Sequence, residues 1–236
     1  MHKVICNIPH SSLIIPEWAM DDITIGSEEL CSLLEFMTDV RVDELWDFVP
    51  KSDKVVASVS RLIVDTERYR NDADEPMAAK GMGLYYTHTP HGTPFRIKSE
   101  IAYSKCLAIY DDYHLSLEEK VSNAVQQHGK CIIFDCHSFH EEMDYTGFPT
   151  ASFPDVCIGI NGEKTAETDM GIDAFNSNGF SVKINEPFSG ALVPIRFIND
   201  KRVVSIMIEL NRRIYNNCHF AKTQKICQEI YDNLNI

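Results

Sequence analysis

Short, continuous apolar segments alternate with longer helical segments along this chain, and this alternation is the strongest constraint on its fold. The segments Lys3–Ile8, Lys130–Asp135 and Val203–Leu210 are mostly apolar, and their apolar residues are consecutive rather than alternating with polar ones. Such strands are typical of a parallel sheet that is covered on both faces. The sequence therefore predicts an α/β fold with a largely parallel sheet.

The remaining elements follow from hydrophobic period, caps and turn residues. Further strands are predicted at Val55–Ser60, with Leu62–Asp65 as a continuation, and at Val156–Ile160 and Phe180–Ile184. Helices are predicted at Ser27–Phe36, from Thr38 to Val49, at Lys98–His128 with a break near Ser116, at Lys164–Asn178 and at His219–Leu234. Residues 71–97 are rich in Pro and Gly, which favours a functional or lid-like loop. The length of 236 residues fits a single domain, 1–236.

The net charge of −13 limits the partners of this chain. A basic footprint is absent, which argues against nucleic acid. An acidic protein repels an acidic substrate unless arginines reverse the local field, so each arginine near the chemistry matters. No run of about 18 apolar residues is present, so we expect no membrane span.

The eight cysteines form no CxxC pair. Several, such as Cys6 and Cys131, lie in apolar segments, where a free thiol acts as a small hydrophobe. The N-terminus resembles no signal peptide. We therefore expect reduced, buried thiols in a cytoplasmic protein.

Two histidines, His10 and His137, each lie just past a predicted strand and precede a serine. Ligands of such sheets bind beyond the carboxyl ends of the strands. A histidine there can be a ligand, a base or a structural group, but two in equivalent places favour a function. Zinc suits imidazole and carboxylate ligands, and a catalytic zinc takes three protein ligands. Both histidines are therefore candidate metal ligands.

The residues beside His137 differ in the direction they face. Residues i and i+2 of a strand share a face, so Asp135 is placed to orient the His137 ring from behind the metal. Cys136 faces the other way, which disfavours a thiol hydrolase that pairs Cys136 with His137.

The third metal ligand is open from spacing alone. Leu13 occupies the place where an HxxE motif would put a glutamate. Asp39 and Asp43, four residues apart on a predicted helix face, are candidates. A solvated helix face with acidic residues in its first turn explains the same spacing equally well.

Glu209 lies at the carboxyl end of an apolar strand, between Ile208 and Leu210. Apolar surroundings raise the pKa of a carboxyl group, which suits general acid–base catalysis. The structural alternative is an ion pair with Arg212 or Arg213.

Arg61 and Arg68 flank the segment Leu62–Asp65 and are candidates for binding an anionic substrate, because a guanidinium binds a carboxylate through two hydrogen bonds. The structural alternative is internal pairing with Asp65 or Glu67.

Six segments in order resemble the N-formylglutamate amidohydrolase family. They span nearly the whole chain: Ile8-Pro-His-Ser-Ser12, Thr38-Asp-Val-Arg-Val-Asp-Glu-Leu45, Ser60-Arg-Leu-Ile-Val-Asp-Thr-Glu-Arg68, Asp135-Cys-His-Ser138, Asn185-Glu-Pro-Phe-Ser-Gly190 and Ile208-Glu-Leu-Asn-Arg-Arg-Ile-Tyr215.

The resemblance implies a three-layer α/β/α fold with a mixed, largely parallel sheet, related to zinc carboxypeptidases and aspartoacylases. It implies zinc-dependent hydrolysis of N-formyl-L-glutamate to formate and glutamate, late in histidine degradation. It also implies that His10, Asp39 and His137 are zinc ligands, that Glu209 is the general base and that Arg68 binds the substrate carboxylate.

This chain departs from the family pattern at two positions. Glu67 replaces an asparagine, which adds negative charge beside the expected carboxylate site, and Ala191 replaces a second glycine. Two other readings stay open: another zinc amidase or carboxypeptidase on the same scaffold, and a catalytically silent binding domain. Retention of His10, His137 and Glu209 argues against the silent domain.

Overall fold

A computed structural model describes residues 2–141, 153–215 and 219–236. The chain divides into two compact units and passes between them after residues 8, 40, 55 and 116. We call Met1–Ile8, Arg41–Val55 and Leu117–Ile236 the sheet unit, and Pro9–Val40 and Val56–Ser116 the loop unit. Whether they form one domain, as the sequence predicts, stays a prediction. No described helix is long and apolar enough to cross a membrane.

A six-stranded mixed sheet, mostly parallel, organises the fold, with helices on both sides. Its strands are β1 (Lys3–Ile8), β2 (Lys54–Val56), β3 (Cys131–Phe139), β4 (Val156–Ile160), β5 (Val182–Ile184) and β6 (Val203–Asn211). Their order across the sheet is β2-β1-β3-β6-β4-β5. The pairs β1–β3, β3–β6 and β4–β5 are parallel, whereas β4 and β6 are antiparallel. The predicted α/β class is confirmed.

The described helices are α1 (Glu17–Met20), α2 (Ser27–Met37), α3 (Val42–Leu45), α4 (Glu100–His128), α5 (Ala166–Ser177) and α6 (Phe220–Leu234). Thr165 caps α5 by accepting a hydrogen bond from the Thr168 backbone N–H, and Thr168 completes a capping box. The predictions for α2, α5 and α6 are correct to within two residues.

Alternation along the strands gives the sheet two different faces. One face is apolar and packs against α3, α5 and α6, with Cys6, Phe134, Cys136 and Ile208 among its buried side chains. Burial of each large apolar side chain contributes about 1.5–3 kcal/mol. The residues of opposite parity on the same strands include Asn7, Asp135, His137 and Glu209, which are also buried. These four polar side chains therefore lie on the other face of the sheet.

The loop unit has little regular structure apart from α1, α2 and the first part of α4. Two apolar clusters form its core, one around Ile63 and Leu84 and one around Leu62 and Phe95. Arg96 is buried there and donates to the carbonyl oxygens of Leu62 and Ile63. Those bonds satisfy backbone acceptors of an apolar segment that has no strand partner.

Three secondary-structure predictions are wrong. The segment predicted as strand at 55–65 forms only the short β2, because Ile63 and Val64 turn back to the Ser60 carbonyl. The helix predicted after Thr38 is limited to α3. No break occurs at Ser116, since α4 is continuous and buries Leu117 and Val121, one helical turn apart. In each case tertiary packing outweighs a local pattern.

Candidate metal and catalytic site

His10 begins the loop unit, two residues after β1 ends. The ring is buried, and its Nε2–H donates to Asp65 Oδ1 at 2.9 Å. Its Nδ1 lies 3.8 Å from Asp39 Oδ2, and the Asp39 backbone N–H donates to the His10 carbonyl at 2.9 Å. The Asp65 carboxylate therefore holds Nε2 of the ring, and the Asp39 carboxylate lies near Nδ1.

Asp65 is the centre of the polar contacts in the loop unit. Its Oδ1 also accepts the Glu67 backbone N–H at 3.0 Å. Its Oδ2 accepts Arg61 Nη2 at 2.9 Å and the Tyr86 hydroxyl at 2.6 Å, and Arg68 Nε lies 3.7 Å away. A fully buried carboxylate is stable only with such charge and hydrogen-bond partners.

The charges of this cluster fix two protonation states. Burial disfavours the ionised form of Asp65, but Arg61 and His10 outweigh it and hold the pKa of Asp65 well below its usual range. Burial, assisted by the positive charge of Arg61, lowers the pKa of His10 to about 4. At neutral pH the carboxylate is ionised and the imidazole is neutral, the form that binds metals.

Arg61 and Arg68, the predicted substrate binders, both make internal contacts. Arg61 pairs with Asp65, the alternative that the sequence left open. Arg68 donates Nε to the Met82 carbonyl at 3.1 Å and Nη2 to the Tyr86 hydroxyl at 3.2 Å, and about a fifth of its side chain, 22%, is exposed. A role of either arginine toward a substrate stays a prediction.

His137 lies inside β3 in the sheet unit rather than past its end, because β3 continues to Phe139. Its Nε2–H donates to Asp135 Oδ1 at 3.2 Å on the shared face of the strand. Asp135 also accepts the Asn7 amide at 2.7 Å and the Leu192 backbone N–H at 2.8 Å. Burial raises the pKa of Asp135, but His137 and these hydrogen bonds lower it below its usual value. The predicted contact exists, while its role behind a metal stays a prediction.

Glu209 is the β6 residue paired in register with His137 on β3, so the two side chains are neighbours on one face. Cys157 on β4 is its partner on the other side. Glu209 is 8% exposed. Arg213, named above as a possible partner of Glu209, donates to Asp155 and Glu141 at 2.8 and 2.6 Å.

Cys136 lies on the apolar face of the sheet, as the alternation predicts. Burial and the neighbouring Cys6 thiol raise its pKa far above the usual range. The thiolate that a nucleophilic cysteine needs is therefore strongly disfavoured.

Asp39 and Asp43 do not share a helix face, so the prediction that they lie four residues apart on one helix is wrong. Asp39 precedes α3 and is buried, whereas Asp43 belongs to α3 and is exposed. Asp39 as a ligand stays a prediction, supported by its place beside the Nδ1 atom of His10.

Among the described residues, His10, Glu67 and His137 are a group that could hold a metal ion, each with one ligand atom. Two imidazoles and one carboxylate are a donor set that suits zinc. Sequence reasoning treated Glu67 only as a departure from a pattern and missed it as a donor. It also missed Tyr86 and Asn7, whose contacts with the two aspartates span 21 and 128 residues. No local signal in the sequence could have revealed those contacts.

The fold and these side chains together define an α/β protein with a candidate metal centre, and comparison with known proteins gives the family. The sequence model of N-formylglutamate amidohydrolase matches residues 2–216. This chain therefore belongs to the N-formylglutamate amidohydrolase family, as the resemblance indicated. No curated protein sequence gives a significant match.

Two solved structures share the fold. The crystal structure of N-formylglutamate amidohydrolase from Ralstonia eutropha is similar with a TM-score of 0.81 and 20% identity, over 98% of this chain and 92% of that one. A gene product from Agrobacterium tumefaciens is similar with a TM-score of 0.71 and 17% identity, over 99% and 88%. At these identities the likeness supports the fold alone.

Proposed function

We propose that this protein is a zinc-dependent amidohydrolase that cleaves N-formyl-L-glutamate to formate and L-glutamate. Family membership supports the reaction class. The observation that carries the zinc assignment is a matched pair of contacts, in which His10 and His137 each donate Nε2–H to a buried aspartate. A carboxylate that fixes the tautomer and direction of a histidine ring is the usual outer partner of a metal-bound histidine.

We assign His10, Glu67 and His137 as the metal ligands, with Asp39 as the alternative source of the carboxylate. Asp65 and Asp135 orient the two rings through their contacts with Nε2. When bound, zinc supplies Lewis acidity toward the amide carbonyl and toward water. The neutral state of His10 suits this role, because a protonated imidazole cannot bind a metal.

The proton transfers are assigned to Glu209. A water molecule adds to the formyl carbon as Glu209 takes one of its protons. The C–N bond then breaks, and Glu209 gives that proton to the departing amine, so that water and amide become formate and glutamate. Glu209 is buried next to His137, which keeps bulk water from competing for the proton.

Recognition of the acidic substrate is assigned to Arg68. Its Nε and Nη2 are held by Met82 and Tyr86, which restricts the motion of the guanidinium, and 22% of the side chain is exposed. A preorganised arginine orients the amide with less loss of entropy. We also propose, from the family resemblance, that the reaction is a late step of histidine degradation.

The test combines metal analysis with an assay of formate release. We expect about one zinc per chain in protein purified without chelator, and hydrolysis of N-formyl-L-glutamate that chelator abolishes and zinc restores. His10→Ala and His137→Ala should both lower the zinc content, while Lys222→Ala, an exposed change on α6, should not. Unchanged zinc content in both histidine variants would refute the ligand assignment. A panel of other N-acyl amino acids tests the substrate separately.

A further inference from the structure

Side chains on one face of α4 form hydrogen bonds with residues 66–70 in the loop unit. Tyr110 and His114 are four residues apart, so they lie one above the other on the helix. Their rings are in contact, with centroids 4.2 Å apart and planes tilted by 37°. The Tyr110 hydroxyl donates to the Arg68 carbonyl and His114 Nε2–H donates to the Thr66 carbonyl, both at 2.8 Å.

A third contact from the same helix lies at the end of the segment. Asp111 accepts both Nε and Nη2 of Arg70, at 2.7 and 2.8 Å. Residues 66, 68 and 70 are thus held in turn by α4. Glu67, a proposed metal ligand, lies in the chain between Thr66 and Arg68, whose carbonyls accept these hydrogen bonds.

The peptide group before Glu67 is held at both of its polar atoms. Its oxygen, the Thr66 carbonyl, accepts from His114, and its N–H donates to Asp65 Oδ1 at 3.0 Å. On the following residue, the Arg68 side chain is held by Met82 and its carbonyl by Tyr110. The Glu67–Arg68 peptide group is oriented by its own N–H, which donates to the Asp65 carbonyl at 3.4 Å, and the Arg68 carbonyl belongs to the next peptide group. The backbone on both sides of Glu67 is therefore held by hydrogen bonds.

We propose that Tyr110 and His114 are positioning residues, which fix the direction of Glu67 and Arg68 for metal and substrate. The inference rests on the proposed function and deepens it. Neither residue takes part in the chemistry. Their contribution is to preorganise a carboxylate donor and a guanidinium that otherwise belong to an irregular segment.

The test uses the full chain with three variants and one control. Tyr110→Phe removes a single oxygen atom. His114→Ala removes the donor, and His114→Gln restores it, because the glutamine amide nitrogen can reach the position of Nε2. Tyr103→Phe is the control, since Tyr103 lies on the same helix and its ring packs against Tyr85.

Two readouts that do not need turnover are measured first: hydrogen exchange of the Glu67 amide in metal-free protein, and zinc affinity by competition with a chelator. We expect faster exchange and roughly 10-fold weaker zinc binding in Tyr110→Phe and His114→Ala. His114→Gln should behave much more like the wild type, and Tyr103→Phe should equal it. With saturating zinc, KM for N-formylglutamate should rise more than kcat falls.

Two outcomes would overturn the inference. One is that Tyr110→Phe and His114→Ala both keep the wild-type exchange rate and the wild-type zinc affinity. The other is that His114→Gln is as impaired as His114→Ala. If His114→Ala does not fold, Tyr110→Phe decides alone. Wild-type protein that binds zinc but leaves N-formylglutamate intact would refute the proposed function, while exchange and zinc affinity would still decide on positioning. If the wild type binds no zinc, exchange of the Glu67 amide decides.

Discussion

His10 and His137 have the same kind of orienting partner, an aspartate, but the two aspartates have different electrostatic surroundings. Asp65, behind His10, is surrounded by two arginines and a tyrosine hydroxyl. Asp135, behind His137, is held by the Asn7 amide and a backbone N–H, which are neutral donors. Asp65 is therefore neutralised by nearby arginines, whereas Asp135 is stabilised by hydrogen bonds from neutral groups.

The difference suggests a division of labour between the loop unit and the sheet unit. A cluster rich in arginine suits the binding of an anion. A neutral, buried strand pair that carries Glu209 beside His137 suits proton transfer, because its geometry is fixed by the ladder. Variants of the first region should change substrate binding, and variants of the second should change the rate of the chemical step.

The largest effect is expected in the sheet unit. Glu209→Gln keeps the size of the side chain but removes the base, so kcat should fall on the order of 10²–10⁴-fold. Zinc content and KM should change little. Glu229→Gln, an exposed change on α6, is the matched control. Loss of zinc without loss of kcat per bound metal would make Glu209 a metal-site residue and remove the division of labour.

Stability should separate the two aspartates. Asp65→Asn leaves Arg61 and Arg68 without their counter-charge, which costs about 3–5 kcal/mol of unfolding free energy. Asp135→Asn loses hydrogen bonds to neutral donors and to His137, about 1–3 kcal/mol. Urea unfolding of the metal-free proteins measures both. Equal losses would show that the arginines do not depend on Asp65, contrary to the contrast drawn above.

Substrate choice tests the loop unit. Arg68→Ala should lower kcat/KM for N-formylglutamate by roughly 10–100-fold, mainly through KM, since a hydrogen bond to a charged group contributes about 1.5–3 kcal/mol. N-formylmethionine should be much less affected, and Arg68→Lys should recover only part of the loss. Arg202→Ala, at an exposed ion pair, serves as control. Equal losses for both substrates would make Arg68 structural.

The smallest effect is expected for Cys136→Ser. The thiol donates to the Phe134 carbonyl at 3.3 Å on the apolar face, and a hydroxyl can do the same. The variant should keep most of its formate-releasing activity. Abolished turnover in a well-folded variant would contradict the assignment of Cys136 to the core and revive a thiol mechanism.

Much of the sheet unit could be predicted because its information is local. Continuous apolar segments located β1 and most of β3 and β6, and the two-residue period of a strand placed Asp135 with His137 and Cys136 opposite. The position of Glu209 beside His137 could not be predicted in this way, because it depends on the strand order and on the register of β3 with β6.

The loop unit was harder because its contacts join distant residues without regular structure. The apolar residues Leu62–Val64 imitate a strand, yet they are buried in turns whose carbonyls are satisfied by Arg96. Tyr86 reaches Asp65 across a Pro- and Gly-rich segment for which no pattern sets a direction. Asp39 and Asp43 do not belong to one helix because Arg41, the residue before α3, has a left-handed backbone conformation with a φ of 64°. A helix cannot continue through that conformation, so α3 begins only after Arg41.

The pairing of β1 with β3 also bears on how the chain reaches its fold. Lys3 pairs with Cys131 and Asn7 with Asp135, so the β3 edge of β1 has no partner until the chain has been synthesised as far as residue 135, although β2 can occupy the other edge earlier. At about 5–20 residues per second, that interval lasts many seconds. Throughout it, an apolar strand with an unsatisfied edge is a template for wrong pairing. The strand that carries Asn7 and leads directly to His10 therefore needs protection from wrong pairing until β3 has been made.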